Sequence, residues 1–172
     1  MQRIAQFFKV SKEQFADSMR DEFPQYTSED INDMYESLTL PRRATTGSAG
    51  YDFFAPFSFS LPAGSTIKIP TGIRAKMDEG WVLKIYPRSG LGFKYRLQMN
   101  NTVGIIDSDY YYSDNEGHIF IKMTNASNEG KTLDVSAGSG FAQGIFLEYG
   151  ITVDDDAAGV RNGGFGSTGS KA

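Results

Sequence analysis

Two aspartates two positions apart, Asp107 and Asp109, stand in the run NNTVGIIDSDYYY. In extended backbone, residues at i and i+2 share a face, so this spacing predicts a pair of carboxylates side by side; the same spacing also suits two aspartates turned to solvent. Water is a poor nucleophile at neutral pH, and a positioned carboxylate can orient it and take its proton. Asn101 lies upstream of Asp107 across a stretch read as a hairpin tip. An amide and backbone groups there could match the alternating donors and acceptors of a base edge.

Three further stretches carry chemistry-bearing residues. In GSAGYDFFAP, Gly47 and Gly50 permit a tight turn before Asp52, which is either an ordinary turn aspartate or a carboxylate that holds metal-bound waters. In YPRSGLG, Arg88 and Ser89 leave a strand just before Gly90. An arginine fork, a hydroxyl and closely approaching backbone N–H groups suit phosphate oxygens, and they also suit an ordinary turn. The third is RNGGFGSTGS, Arg161 to Ser170, which is either a frayed end or a clamp for a phosphorylated ligand. Its GFGSTGSK differs from the phosphate loop G-x-x-x-x-G-K-[ST]. Lys171 is displaced by Ser170, and only Ala172 follows, so no helix follows it.

Composition narrows the chemistry. The 172 residues are 40% hydrophobic and 22% charged, which reads as one soluble globular domain. With no cysteine, thiolate nucleophiles, disulfides and cysteine zinc sites are excluded. A single histidine, His118, excludes a multi-histidine metal site and leaves a carboxylate as the expected general base. The net charge of -4 argues against broad nucleic-acid binding or adhesion to acidic membranes. No apolar stretch approaches a membrane span, and the expectation is an intracellular, cytoplasmic protein.

The elements that position these residues are legible in outline. Arg3–Val10 reads as a strand. Ser11 and Gln14 form an S-x-x-Q capping box, with Val10 stapled onto Phe15, and Phe15 and Met19 share a helix face. Thr27 and Asp30 cap a second helix whose Ile31, Met34, Tyr35 and Leu38 recur at i, i+3, i+4 and i+7. Residues 11–38 are thus a helical pair, with its apolar stripe packed on the rest of the domain. After Pro41 short β-rich runs alternate with turn residues: Ser65–Pro70, Trp81–Pro87, His118–Met123 and Phe141–Tyr149. That texture predicts an antiparallel sandwich or barrel. His118, Phe120 and Lys122 are expected on one face of their strand, and Ile119, Ile121 and Met123 on the other.

In this order, AGYD (Ala49–Asp52), PRSGLG (Pro87–Gly92), GIIDSDY (Gly104–Tyr110), AQGIF (Ala142–Phe146) and GGFGSTG (Gly163–Gly169) resemble the five motifs of the trimeric dUTP diphosphatase family. The resemblance runs from near Leu40 to the chain's end and leaves out the helical pair. It implies a mainly β, barrel-like jelly roll with an inserted helical pair at 11–38 and a flexible glycine-rich C-terminal arm at 159–172. It also implies a homotrimer whose sites lie between subunits, with each arm closing over a neighbour's site. The reaction implied is Mg²⁺-dependent hydrolysis of dUTP to dUMP and pyrophosphate, which limits uracil incorporation into DNA and supplies dUMP.

Residue by residue, the resemblance makes Asp107 the base that orients water at the α-phosphorus. Asn101, Gly104 and nearby backbone read uracil, and Tyr110 packs under the sugar. Arg88, Ser89, Gly90 and Gln143 hold phosphates. Phe165 stacks on the base, while Arg161, Gly166, Ser167 and Thr168 close on the terminal phosphate. Asp52 holds the waters of Mg²⁺ and does not touch the ion. A triphosphate carries about four negative charges, so carboxylates beside it require such a cation.

Several positions depart from the family pattern. Phe141 stands where an arginine is usual, and Arg161 precedes Phe165 by four residues where five is usual. Tyr111–Glu116 is longer than the usual turn and is expected to form an extended hairpin loop. The helical pair could cap the barrel or face another protein. The rival readings are a dCTP deaminase of the same fold and a regulatory protein that senses nucleotide.

Overall fold

The computed structural model describes residues 2–161. Strand β1 (Ala5–Lys9) is followed by helices α1 (Lys12–Glu22) and α2 (Ser28–Ser37). Then come β2 (Arg42–Arg43), β3 (Tyr51–Phe54), β4 (Phe59–Leu61), β5 (Thr66–Pro70), β6 (Ile73–Met77) and β7 (Trp81–Pro87). After the short helix α3 (Ser89–Tyr95) follow β8 (Leu97–Met99), β9 (Gly104–Ile106), a 3-10 helix (Ser108–Tyr112), β10 (Phe120–Asn125), β11 (Leu133–Val135) and β12 (Gly140–Glu148). No helix among the described residues is long and apolar enough to cross a membrane.

The strands form a mainly β, barrel-like jelly roll in which every described strand pair is antiparallel. The largest sheet runs β2-β3-β12-β7-β9; the others are β5-β10-β8, β1-β6 and β11-β4. Period-two alternation decides what each strand buries. In β10, Ile121, Met123 and Asn125 are buried while Lys122 is exposed. In the large sheet, Phe53, Leu83, Ile85 and Ile106 turn into one shared hydrophobic core. The row Ile145–Lys84–Ile105 and the row Asp52–Gln143–Tyr86 belong to the opposite, outer face.

The helical pair forms where its capping residues place it. Ser11 is the N-cap of α1, and its side chain accepts from the Gln14 amide. The other half of the expected box is absent. The Gln14 side chain bonds Ser18, and the Ser11 amide is taken by Glu116, distant in sequence, at 2.7 Å. At α2 the box is complete, with Thr27 and Asp30 each serving the other's amide. Phe15 and Met19 are fully buried, and Ile31 and Leu38 join them in the barrel's core. Burial of each such side chain is worth about 1.5–3 kcal/mol, and this anchors helices too short to persist alone.

His118 lies beneath α1. It stands two residues ahead of β10, which begins at Phe120 and not at His118 as expected, and it is fully buried against Phe15 and Ser18 of the helix. The Gly72 amide can only donate, so it fixes Nε2 as acceptor at 2.8 Å and places the ring proton on Nδ1, 3.1 Å from Ser18 Oγ. Burial pushes the imidazole pKa down from 6.5 to about 3, with nearby Glu116 opposing the fall and Lys68 adding to it. Below pH 6.5 the unfolded chain therefore binds a proton that the folded chain refuses. The stability tied to the neutral ring is full above 6.5 and is lost as pH falls toward 3. At fixed protein concentration, denaturation curves should lose up to about 1.4 kcal/mol per pH unit from this group between about pH 6 and pH 5. His118→Gln should flatten that slope; an unchanged slope would refute the assignment.

Candidate active site

One cluster forms where β7 runs out. Pro87 ends the strand, and Arg88 becomes the N-cap of α3 without any side-chain cap bond. Its guanidinium, which can only donate, turns back to the sheet. Nε lies 3.2 Å from Asp52 Oδ1, and Nη1 donates to the Gly140 carbonyl at 3.1 Å. Ser89 and Gly90 open α3, so Gly90 stands in a helix's first turn, where amides have no partner within the helix. The register places Asp52 opposite Gln143, and Gln143 opposite Tyr86. Gln143 Nε2 donates to the Pro87 carbonyl at 3.1 Å. Gly50 serves close approach here: a Cβ at this position would stand 2.7 Å from Gln143 Oε1. Tyr86, Arg88, Ser89, Phe93, Leu97 and Gln143 line an open cleft of about 560 Å³.

A second cluster forms where β9 runs out. Ile106 pairs with Leu83, after which the chain turns, and Asp107 caps the 3-10 helix. The Asp107 carbonyl accepts from the Tyr110 amide at 3.2 Å, and its carboxylate makes no cap bond. Asp107 and Asp109 are therefore not neighbours on one extended face, because Asp109 sits inside the helical turn. They still converge on one cation: Arg161 Nε donates to Asp109 Oδ1 at 2.9 Å, and Nη2 donates to Asp107 Oδ2. Tyr110 is buried, its hydroxyl donating to the His118 carbonyl at 2.7 Å and accepting from Asn115 Nδ2 at 2.9 Å. Burial raises this phenol's pKa, with Asn115 and Arg161 opposing. Asn101 is exposed in the turn between β8 and β9, held by the Thr102 amide on Met99, and Gly104 is buried at the start of β9.

Tyr111–Glu116 is not an extended hairpin. The 3-10 helix continues to Tyr112, and successive turns bring Glu116 onto the N-cap of α1. Glu116 and its partner Arg74 escaped sequence reading, since only the EG pair ahead of a strand hints at a left-handed turn there. Glu116 does adopt a positive φ of 59°. Phe141, in place of an arginine, is wholly buried against Phe59. Phe165, Gly166, Ser167 and Thr168 lie outside the described residues.

The two clusters occupy opposite ends of the same strand pair. Asp107 follows the residue opposite Leu83, whereas Arg88 lies beyond Pro87 at the other end of β7. Strand rise alone separates them by roughly 20 Å.

Fold and clusters together define a mainly β, barrel-like protein in which an arginine meets aspartate carboxylates at each cluster. More particularly, the chain belongs to the dUTPase family, whose model matches residues 36–169. The deoxyuridine 5'-triphosphate nucleotidohydrolase of Lactococcus lactis subsp. lactis (strain IL1403) is 40% identical over 136 residues, 77% of this chain and 89% of that protein. The enzyme of the same name from Dictyoglomus turgidum is 36% identical over 143 residues, 78% of this chain and 92% of that protein. The crystal structure of dUTPase from Streptococcus mutans superposes with a TM-score of 0.62 at 33% identity, covering 87% of this chain and 98% of that one. The match of the family begins at residue 36, after most of the helical pair.

Gly50→Ala should leave the fold intact, because the methyl group meets only the flexible end of Gln143. The thermal midpoint should stay within about 3 °C, while affinity for a non-hydrolysable dUTP analogue should fall several-fold as Gln143 is displaced. Calorimetric titration checks this, and unaltered affinity would remove Gln143 from the site.

Proposed function

We propose that this chain hydrolyses dUTP to dUMP and pyrophosphate. The observation that carries the reading is the setting of Asp107, a half-exposed carboxylate at the mouth of a 3-10 turn whose buried Tyr110 lies one turn behind. The names of the relatives agree with it, since both act on deoxyuridine triphosphate and the chain spans nearly all of each.

Asp107 accepts a proton from water as the water oxygen bonds to the α-phosphorus. The bond from that phosphorus to the α,β-bridging oxygen breaks, and pyrophosphate leaves. Arg161 must first release Asp107, and phosphate offers it a competing anion. Asn101 and the backbone around Gly104 bond uracil, and Tyr110 forms the floor under the sugar. Arg88, Ser89, Gly90 and Gln143 bind phosphate oxygens, while Phe165, Gly166, Ser167 and Thr168 close over the nucleotide.

The residues present fit Mg²⁺ of a particular kind. No group of three carboxylate or histidine side chains gathers among the described residues, so they offer no all-protein cage. Asp52, a hard oxygen donor with 21% of its side chain exposed, suits an ion that arrives with the phosphates and keeps its waters. When bound, Mg²⁺ neutralises charge on the triphosphate.

The separation of the two clusters supports sites shared between copies in a homotrimer. The outer face that bears Asp52 and Gln143 also exposes apolar Ile105 and Leu147, at 48% and 39%. A second copy seated on that face would bring its own Asp107 to the first copy's Arg88.

Asp107→Asn should still bind the dUTP analogue, while pyrophosphate release from dUTP falls by at least about 100-fold. Ammonia from dCTP, without pyrophosphate from dUTP, would favour the deaminase reading; wild-type turnover in Asp107→Asn would discharge Asp107 as the base.

A further inference from the structure

Glu116 lies outside both clusters, yet it joins the helical pair to the segment that begins with Asp107. Its two carboxylate oxygens accept from the Ser11 amide at 2.7 Å and the Ser11 hydroxyl at 2.6 Å. Arg74 of β6 stands 3.8 Å away on the same carboxylate. That guanidinium also donates to the Tyr111 carbonyl at 2.7 Å and lies 3.7 Å over the Tyr111 ring. From there the chain is a relay of turns: Glu116 bonds Ser113, Ser113 bonds Tyr110, and Tyr110 bonds the Asp107 carbonyl.

The contact leaves little slack. A Cβ on Gly117 would stand 2.7 Å from both the Tyr110 carbonyl oxygen and Tyr111 Cα, so the turn after Glu116 packs directly on the 3-10 helix. A second tie runs parallel to the first, from Ser18 of α1 through His118 to the Tyr110 hydroxyl. Burial raises the Glu116 pKa, but the Ser11 bonds and the Arg74 charge outweigh it and hold the carboxyl below its usual range. The carboxylate is thus the charged partner that both sides require.

We propose that Glu116, held by Ser11 and Arg74, is a positioning residue for Asp107 and Tyr110. The helical pair sets the pose of the 3-10 helix, and through it the attacking water and the sugar floor. This rests on the dUTP reading of the site.

The test compares Glu116→Ala, Ser11→Ala and Ser11→Thr with the wild-type protein, each first shown to be folded by circular dichroism. A misplacement near 1 Å at a reacting group costs up to about 100-fold. Glu116→Ala should lower kcat by about tenfold and raise KM for dUTP about threefold; Ser11→Ala should move both less, and Ser11→Thr should restore both. A purely structural role would lower kcat in proportion to unfolded protein and leave KM alone, and that result overturns the proposal, as do wild-type constants in Glu116→Ala. If the wild-type protein proved inert toward dUTP, the site reading would fall, and amide exchange would still decide the coupling. Faster exchange at residues 108–112 in folded Glu116→Ala supports it, and unchanged exchange refutes it.

Discussion

Seven consecutive residue pairs, from Ala142–Pro87 to Glu148–Trp81, lock β12 to β7, and the placement of both clusters follows from that ladder. A slip of one residue would turn either Gln143 of β12 into the core or Leu83 of β7 out to solvent. Such a slip is opposed by the core side chains Leu83 and Ile85 and by Gly144, where a Cβ would stand 2.8 Å from Leu83 Cδ1 and 3.0 Å from Phe53 Cε2. The same register delivers Arg88 to one end of β7 and, through β9, Asp107 to the other. A strongly specified ladder thus holds Asp107 and Arg88 far apart within one chain. Its outer face leaves apolar Ile105 and Leu147 exposed.

The helical pair is integral to this barrel. Phe15, Met19, Ile31 and Leu38 belong to the same core as the strands, and the buried His118 pairs with Ser18 of α1 on one side and with the Gly72 amide, in the turn between β5 and β6, on the other. Because α1 takes its N-cap partner from the loop after the 3-10 helix, the start of that helix and the fold of the loop share a carboxylate. A segment that precedes the family's matched region for most of its length is in this way tied to the loop that follows the 3-10 helix.

What could be read from the sequence follows the range of the interactions concerned. Local signals sufficed for β1, β5, β7, β10 and β12, for α1 and α2, and for the Thr27–Asp30 box, because period and capping chemistry act within a few residues; the stretch after β7 was read as a turn and forms α3. The i, i+2 reading of Asp107 and Asp109 failed because the chain leaves β9 and coils at once, a switch that no alternation pattern announces. The S-x-x-Q box was half right for a related reason. Glu116 competes for the Ser11 amide from a hundred residues away, and long-range contacts leave no periodic trace. Motif order carried the family, since five short stretches in one order are specific where each alone is not. The ion pairs of Arg88 with Asp52 and of Arg161 with both aspartates became visible only in three dimensions.

The central claim is that a working site combines Asp107 of one copy with Arg88 of another. Subunit complementation tests it most directly, with Asp107→Asn and Arg88→Ala chains each assayed alone and then co-expressed as mixed oligomers. Random mixing in a cyclic trimer leaves about one site in four with both native residues. The account predicts that two nearly inactive proteins together recover up to about a quarter of wild-type pyrophosphate release. Activity no greater than the sum of the two variants, in oligomers shown to be mixed, would contradict it.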